Sequence, residues 1–175
     1  MVAPKLKLGM DEAQFAELLA KGDEIGLKFE LTDGGITWET YPGVAHQEIV
    51  FGIQTSVNHG TDPVKRCDCY QGADVHVVLP DGTVKRPDIS IWCKKPSELE
   101  SFVHEIPEVV IEVVCPGYED KDLVHGPPVY LRNGVRDVVV FDRQRGEVHL
   151  WTSEGKKVVA SPAAIELQCG CRITV

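Results

Sequence analysis

The chain has 175 residues, 43% hydrophobic and 26% charged, which is apolar material for one ordinary core, so a single domain over residues 1–175 is expected. Lys and Arg total 18 against 27 Asp and Glu, and the net charge of −9 opposes loose, salt-driven adhesion to DNA or to an anionic membrane. No run approaches the ~18 apolar residues of a membrane span, and Met1 to Met10 lack the apolar stretch of a signal peptide, so the expectation is a cytoplasmic protein with no membrane contact.

Phe15, Leu18 and Leu19 stand at helical spacing behind first-turn acids and predict a helix over Asp11 to Lys21. Leu27 to Thr32 and Ile36 to Thr40 flank Asp33-Gly34-Gly35 and read as a hairpin. Ile49, Val50, Ile53 and Val57 recur every three or four residues, predicting a second helix over Val44 to Asn58, closed by Gly60 and Pro63. Between Arg66 and Trp92, the alternation Val75/Val77/Leu79, the turn Asp81-Gly82, then Val84 and Ile89/Ile91 predict successive antiparallel strands.

Pro107 to Val114 is the most β-branched run and should be a central strand. After Cys115-Pro116-Gly117 an acidic loop should lead to a short helix near Val129 to Asn133, ended by Gly134. Strands at Val138 to Asp142, Glu147 to Thr152, Lys156 to Ala160 and Arg172 to Val175 complete an α+β fold, a mostly antiparallel or mixed sheet with a few helices against it. The sheet edges and the apolar strands near Val138 and Trp151 need covering, which predicts a homodimer.

Six cysteines, at 67, 69, 93, 115, 169 and 171, are too few for a small disulfide scaffold, and reduced thiols fit a cytoplasmic address. The pairs Cys67/Cys69 and Cys169/Cys171 raise the question of zinc. Structural zinc sites mostly space their cysteines more widely, whereas an i, i+2 pair in a strand simply points both thiols to one face. Strand thiols are therefore expected, and Zn2+ is not.

A carboxylate inside a buried strand is costly to desolvate unless it is hydrogen-bonded or holds a cation. Glu112, within the apolar run 107–114, and Asp88, at the head of Ile89 to Trp92, are two such acids. Acids on neighbouring strands can share one Mg2+ or Mn2+, because hard divalent ions prefer oxygen ligands. The alternative is that Asp88 caps a turn and Glu112 faces solvent. His46, on the apolar side of its helix, reads from its surroundings as a hydrogen-bonded core histidine.

The run Arg86-Pro87-Asp88-Ile89-Ser90-Ile91, followed by Ile106-Pro107-Glu108-Val109-Val110-Ile111-Glu112-Val113-Val114-Cys115-Pro116, resembles the PD-(D/E)XK nuclease superfamily, and more closely its Uma-type family of restriction-endonuclease-like proteins. The resemblance continues through Asp122, Tyr130, Gly134-Val135 and Asp142, and back through Phe29-Glu30-Leu31-Thr32-Asp33-Gly34 and His46, covering roughly residues 25 to 150. It implies a restriction-endonuclease-like mixed sheet flanked by helices. It also implies a metal-dependent endonuclease acting on DNA, with Asp88 and Glu112 as catalytic, metal-binding acids and the Val113 carbonyl as a third ligand to Mg2+ or Mn2+. Site-lining roles for Glu30, His46 and Asp122 follow from the same resemblance, as does pairing into homodimers.

One part of the family pattern is missing. Its lysine usually lies four residues before the tyrosine matched by Tyr130, where this chain has Gly126, and the other usual place is Val114. Gly126-Pro127-Pro128 also replaces helix formers, so the helix is expected to start late, with a proline in its first turn. Lys121, His125 and Arg86 are the candidates to supply the cation. The departure leaves two expectations: an endonuclease with weakened turnover, or a nuclease-fold protein without turnover that binds a protein or nucleic-acid partner.

Overall fold

A computed structural model describes residues 6, 9–61, 64, 67–99 and 102–175. Pro63 and Arg66, two of the expected boundary residues, lie outside them. The first helix, α1 (Glu12–Glu24), opens on a reciprocal cap: the Gln14 N–H donates to the Asp11 carboxylate at 2.9 Å and the Asp11 N–H to the Gln14 side chain at 3.0 Å, satisfying amides that would otherwise be orphaned. Its buried residues Phe15, Leu19 and Gly22 face β1 (Leu27–Thr32), and Gly22 is so close that a Cβ would stand 2.8 Å from the Phe29 ring.

The hairpin of β1 and β2 (Gly35–Thr40) turns on two residues, Asp33 and Gly34, both at positive φ, the turn geometry that matches strand twist. With β5 (Val77–Val78) and β6 (Val84–Lys85) they form a four-stranded sheet in the order β2-β1-β6-β5. The alternation at Val75/Val77/Leu79 yields only this two-residue strand, because the Leu79 N–H donates to the Thr83 carbonyl at 2.8 Å and closes the turn.

The second helix, α2 (Val44–Ser56), buries His46, Val50 and Ile53 on one stripe. It stops two residues short of the expected Asn58. The Ser56 hydroxyl donates to the Ile53 carbonyl at 2.7 Å and accepts the Thr174 N–H at 2.9 Å, so the chain leaves the helix and Asn58–His59 becomes a strand, β3. β3 joins β12 (Ala164–Glu166) and β13 (Cys171–Thr174) in a three-stranded sheet ordered β12-β13-β3.

The main sheet has the order β11-β10-β9-β8-β7-β4, from β4 (Tyr70–Ala73), β7 (Ile89–Trp92), β8 (Val109–Val113), β9 (Asp137–Asp142), β10 (Glu147–Thr152) and β11 (Gly155–Ala160). β8 is wholly buried and central; it runs antiparallel to β7 and parallel to β9. Val109, Ile111 and Val113 enter the core beneath α2, while Val110 and Val114 enter the core containing Val129 and Tyr130. Burial on both faces explains why the strand reads as a continuous apolar run.

A parallel pair requires a crossover. It is made by a π-helical turn, Lys121–His125, that runs into α3 (Gly126–Arg132), with Gly134 at φ +98° just beyond the helix. The expected acidic loop is thus corrected, since helical backbone is present from Glu119, while the prolines do fall in the first turn of α3 as expected. Two consecutive prolines supply no N–H, so the Gly126 N–H donates to the carbonyl of Lys121, and α3 takes the prolines where its first amides would have had no partner. The widened turn reconciles prolines with a continuous helical path.

Cys69 and Cys171 are disulfide-bonded, unlike the reduced thiols expected, because β13 lies beside the segment leading into β4 with Cα atoms 5.9 Å apart. No helix among the described residues is long and apolar enough to cross a membrane.

Candidate active site

The register Ile89↔Ile111 between β7 and β8 sets Asp88 beside Glu112. The Asp88 N–H donates to Glu112 Oε2 at 3.2 Å, and the Val113 N–H donates to Asp88 Oδ2 at 2.8 Å. Tyr130 donates its hydroxyl proton to Glu112 Oε1 at 2.6 Å. Strand alternation places Glu112 on the Val110 face, which is where α3 presents that tyrosine.

His46, in the first turn of α2, sets Nε2 3.0 Å from Asp88 Oδ1 and Nδ1 3.2 Å from Cys115 Sγ. Burial works against its charge, but the Asp88 carboxylate overrides it and raises the imidazole to about 10. His46 is therefore a core residue that also grips a candidate ligand, so the two sequence readings of it describe the same side chain.

These groups open on a small cleft lined also by Lys28, Glu39, Lys121, Asp122 and the Val113 backbone. Its volume of about 10 Å³ is room for roughly one water or ion. Lys121 Nζ lies 2.9 Å from Glu39 Oε2 and 3.3 Å from Asp122 Oδ1. Desolvation opposes that ammonium, yet Glu30, Asp122, Glu112 and Glu39 hold it well above the ordinary lysine range. Asp122, raised by burial and partly relieved by Lys121, rises to about 6.

Of the three cations named from sequence, Lys121 lines the cleft. His125 is exposed, and Arg86 is committed to Asp23 at 3.1 Å and Asp74 at 2.9 Å. Gly126 is buried with its missing side chain directed at the Lys121 carbonyl, 3.0 Å from where a Cβ would be. The π turn stacks Lys121 over Gly126, so the ammonium comes from one turn earlier in the chain than the family pattern places it.

Glu30 stands behind the cleft. Its carboxylate accepts from Lys85 Nζ and from the Arg86 N–H, each at 2.8 Å. Its position is a brace between β1 and the end of β6, just ahead of Asp88. Sequence reasoning did not single out Lys28, Glu39 or the bond made by Tyr130. Lys28 is buried, 2.7 Å from Asp74 and 3.8 Å from Glu39. Its only local signal was the charged alternation Lys28/Glu30 inside an apolar strand.

The carboxylates of Asp88 and Glu112 are oxygen donors of the kind a hard divalent cation takes, and Val113 lines the same cleft. Glu112 carries the complementary electrostatic mark, since burial first and Asp88 second push its carboxyl up to about 8, and a dication between the two acids removes that penalty. The residues present therefore fit Mg2+ or Mn2+.

Residues 13–168 match the family model of Uma2, described as a putative restriction endonuclease. The chain also superposes on the crystal structure of a putative nuclease belonging to DUF820 from Anabaena variabilis, with a TM-score of 0.62 at 17% identity over 79% of this chain and 80% of that one. The two share an α+β fold of the restriction-endonuclease type. No curated protein matches the sequence.

Proposed function

The chain belongs to the Uma2 family, and from that premise we propose that it is a metal-dependent endonuclease that hydrolyses phosphodiester bonds of DNA. The observation that carries this reading is the convergence of Asp88, Glu112 and the Lys121 ammonium on one cleft. Asp88, Glu112 and the Val113 carbonyl would hold Mg2+ or Mn2+, whose bound form polarises a phosphate and lowers the pKa of an attacking water.

The protein's own contribution is preorganisation. The Val113 N–H and the His46 imidazolium fix the two oxygens of Asp88, and the Tyr130 hydroxyl fixes Glu112. Lys121 keeps a full positive charge at the cleft, positioned to orient a water and to stabilise charge developing on the phosphate oxygens. Lys28 adds a second ammonium to the cleft lining, paired with Asp74 at 2.7 Å, and because four carboxylates line the same cleft, approach of an anionic backbone depends on the bound dication to offset them.

Nicking of supercoiled plasmid with Mg2+ or Mn2+ tests the reading. Asp88→Ala should abolish cleavage, and Lys121→Ala should lower it by about 10²-fold or more while leaving Mn2+ binding intact. Cleavage insensitive to both substitutions refutes the assignment. Metal binding without cleavage by the unmodified protein instead establishes the second reading, a nuclease-fold protein that binds a partner without turnover; the tie of Lys121 to Glu39 favours that outcome if the ammonium cannot leave it. The proposal includes a homodimer, with the open edge of β11 available for pairing; light scattering showing a 19.3 kDa species removes it.

A further inference from the structure

Five of the six cysteines meet in one place, away from the acidic cleft. Cys67 and Cys69 come from the segment ahead of β4, Cys93 from the end of β7, and Cys169 and Cys171 from the turn into β13. The sulfurs of Cys67, Cys93 and Cys169 all lie within 4.8 Å of one another, as do those of Cys67, Cys69 and Cys171. Cys67 belongs to both groups, and its sulfur is 3.3 Å from that of Cys171. Cys67, Cys169 and Cys171 are buried.

The expected strand thiols pointing to one face do not account for the Cys-x-Cys pairs, since Cys67 and Cys69 precede β4, with Cys69 at φ +48°, and Cys169 lies in the turn before β13. Strand thiols also do not explain why three segments separated by up to 104 residues bring their sulfurs into two groups that share Cys67. Tetrahedral thiolate coordination does. With metal–sulfur bonds of about 2.3 Å, the sulfurs of such a site stand roughly 3.8 Å apart, which fits inside the 4.8 Å that bounds each group. Soft thiolates select a borderline-soft dication over the hard ions suited to Asp88 and Glu112.

We propose that the reduced protein binds one zinc ion through Cys67, Cys93 and Cys169, whose sulfurs already stand together, with Cys171 swinging in from the neighbouring group as the fourth ligand once reduction frees its sulfur from Cys69. Cys171 is the fourth ligand because it is fully buried with its sulfur 3.3 Å from that of Cys67, whereas Cys69 is half-buried and its sulfur lies beside Asn58 and His59. The Cys69–Cys171 disulfide and the zinc site are mutually exclusive, since both need the sulfur of Cys171. A phosphine reductant supplies two electrons and is oxidised to its oxide, with water giving the oxygen and the two protons that turn the disulfide into two thiols, and zinc then displaces the four ligand protons to solvent. The ion would pin the three-stranded sheet to the end of β7 in the main sheet, a join now made by buried thiols and one sulfur–sulfur bond.

The test uses the full chain, purified and held with a phosphine reductant, exchanged against Zn2+ or Co2+ and passed through gel filtration. The expected result is one retained metal per chain, a tetrahedral-thiolate cobalt spectrum with sulfur-to-metal charge transfer, and a zinc-dependent rise in melting temperature. Cys93→Ser, at a half-buried position and checked as folded by circular dichroism, should lose the charge-transfer band and the retained metal; Asp88→Ala should keep both. A folded, fully reduced wild-type chain that retains no zinc overturns the proposal. So does zinc that is lost with Asp88→Ala and kept with Cys93→Ser, which assigns it to the acidic cleft. The wild-type cobalt spectrum reports the ligand type without any substitution.

Discussion

Lys85→Met is the substitution whose consequence follows most directly from the geometry. Lys85 Nζ lies 2.8 Å from Glu30 Oε2, with both side chains almost fully buried. Burial alone would raise the Glu30 carboxyl, but Lys85, then Lys121, and the Arg86 N–H bring it from its ordinary 4.5 down to about 2. That lowering corresponds to roughly 3 kcal/mol of stability. The group's folded pKa is depressed, so this stability is fully present above pH 4.5 and is lost as pH falls towards 2. Removing the lysine strands a buried carboxylate, which typically costs about 3–5 kcal/mol, or roughly 6–15 °C in melting temperature for a chain of this size. Because Glu30 can then take up a proton, the difference between variant and wild type should shrink at pH 4, and Lys85→Met with Glu30→Gln should recover most of the loss. Urea denaturation followed by circular dichroism at pH 7 and pH 4 measures all three. A loss below about 1 kcal/mol at pH 7, or one equal at both pH values, refutes the account of Glu30 as a braced carboxylate.

The raised carboxyl of Glu112 predicts that Mn2+ binding releases a proton, so affinity measured by calorimetry should weaken as pH falls below about 8, by up to roughly tenfold per unit; Glu112→Gln should bind more weakly and without that slope, and equal binding by both removes Glu112 from the site. Gly126→Lys should not raise cleavage and should lower the melting temperature, because its Cβ would stand 3.0 Å from the Lys121 carbonyl that closes the π turn; higher cleavage at an unchanged melting temperature would show that the family position still aims at the cleft.

What could be read from the sequence was what is written locally. Asp33-Gly34 announces its hairpin, the stripe Val50/Ile53 announces α2, and the β-branched run 109–113 announces a central strand because both its faces are buried. Asp88 and Glu112 stood out because an acid beside an apolar run needs a partner. Of the partners, Lys121 stood only as one of three candidate cations and Lys28 and Glu39 were not legible at all: they reach the cleft through strand order, and no local spacing encodes that. The end of α2 was misjudged because Ser56 is captured by Thr174, 118 residues away. The prolines at 127 and 128 were rightly placed in the first turn of their helix, but the π turn that joins this helix to the residues before it was not legible.

That wider turn makes rotational phase the variable that decides where the cleft finds its ammonium. An α-helix turns each successive side chain by about 100°, so a residue gained or lost between Lys121 and Gly126 swings everything upstream around the axis while leaving Tyr130 and its grip on Glu112 where they are. Deleting Val124, exposed and remote from the acids, would close the π turn into a regular one and carry Lys121 to another side of the helix. The lysine's address in this fold is thus an angle as much as a sequence position, and a single-residue change in length can move the charge between neighbouring positions with the two acids undisturbed.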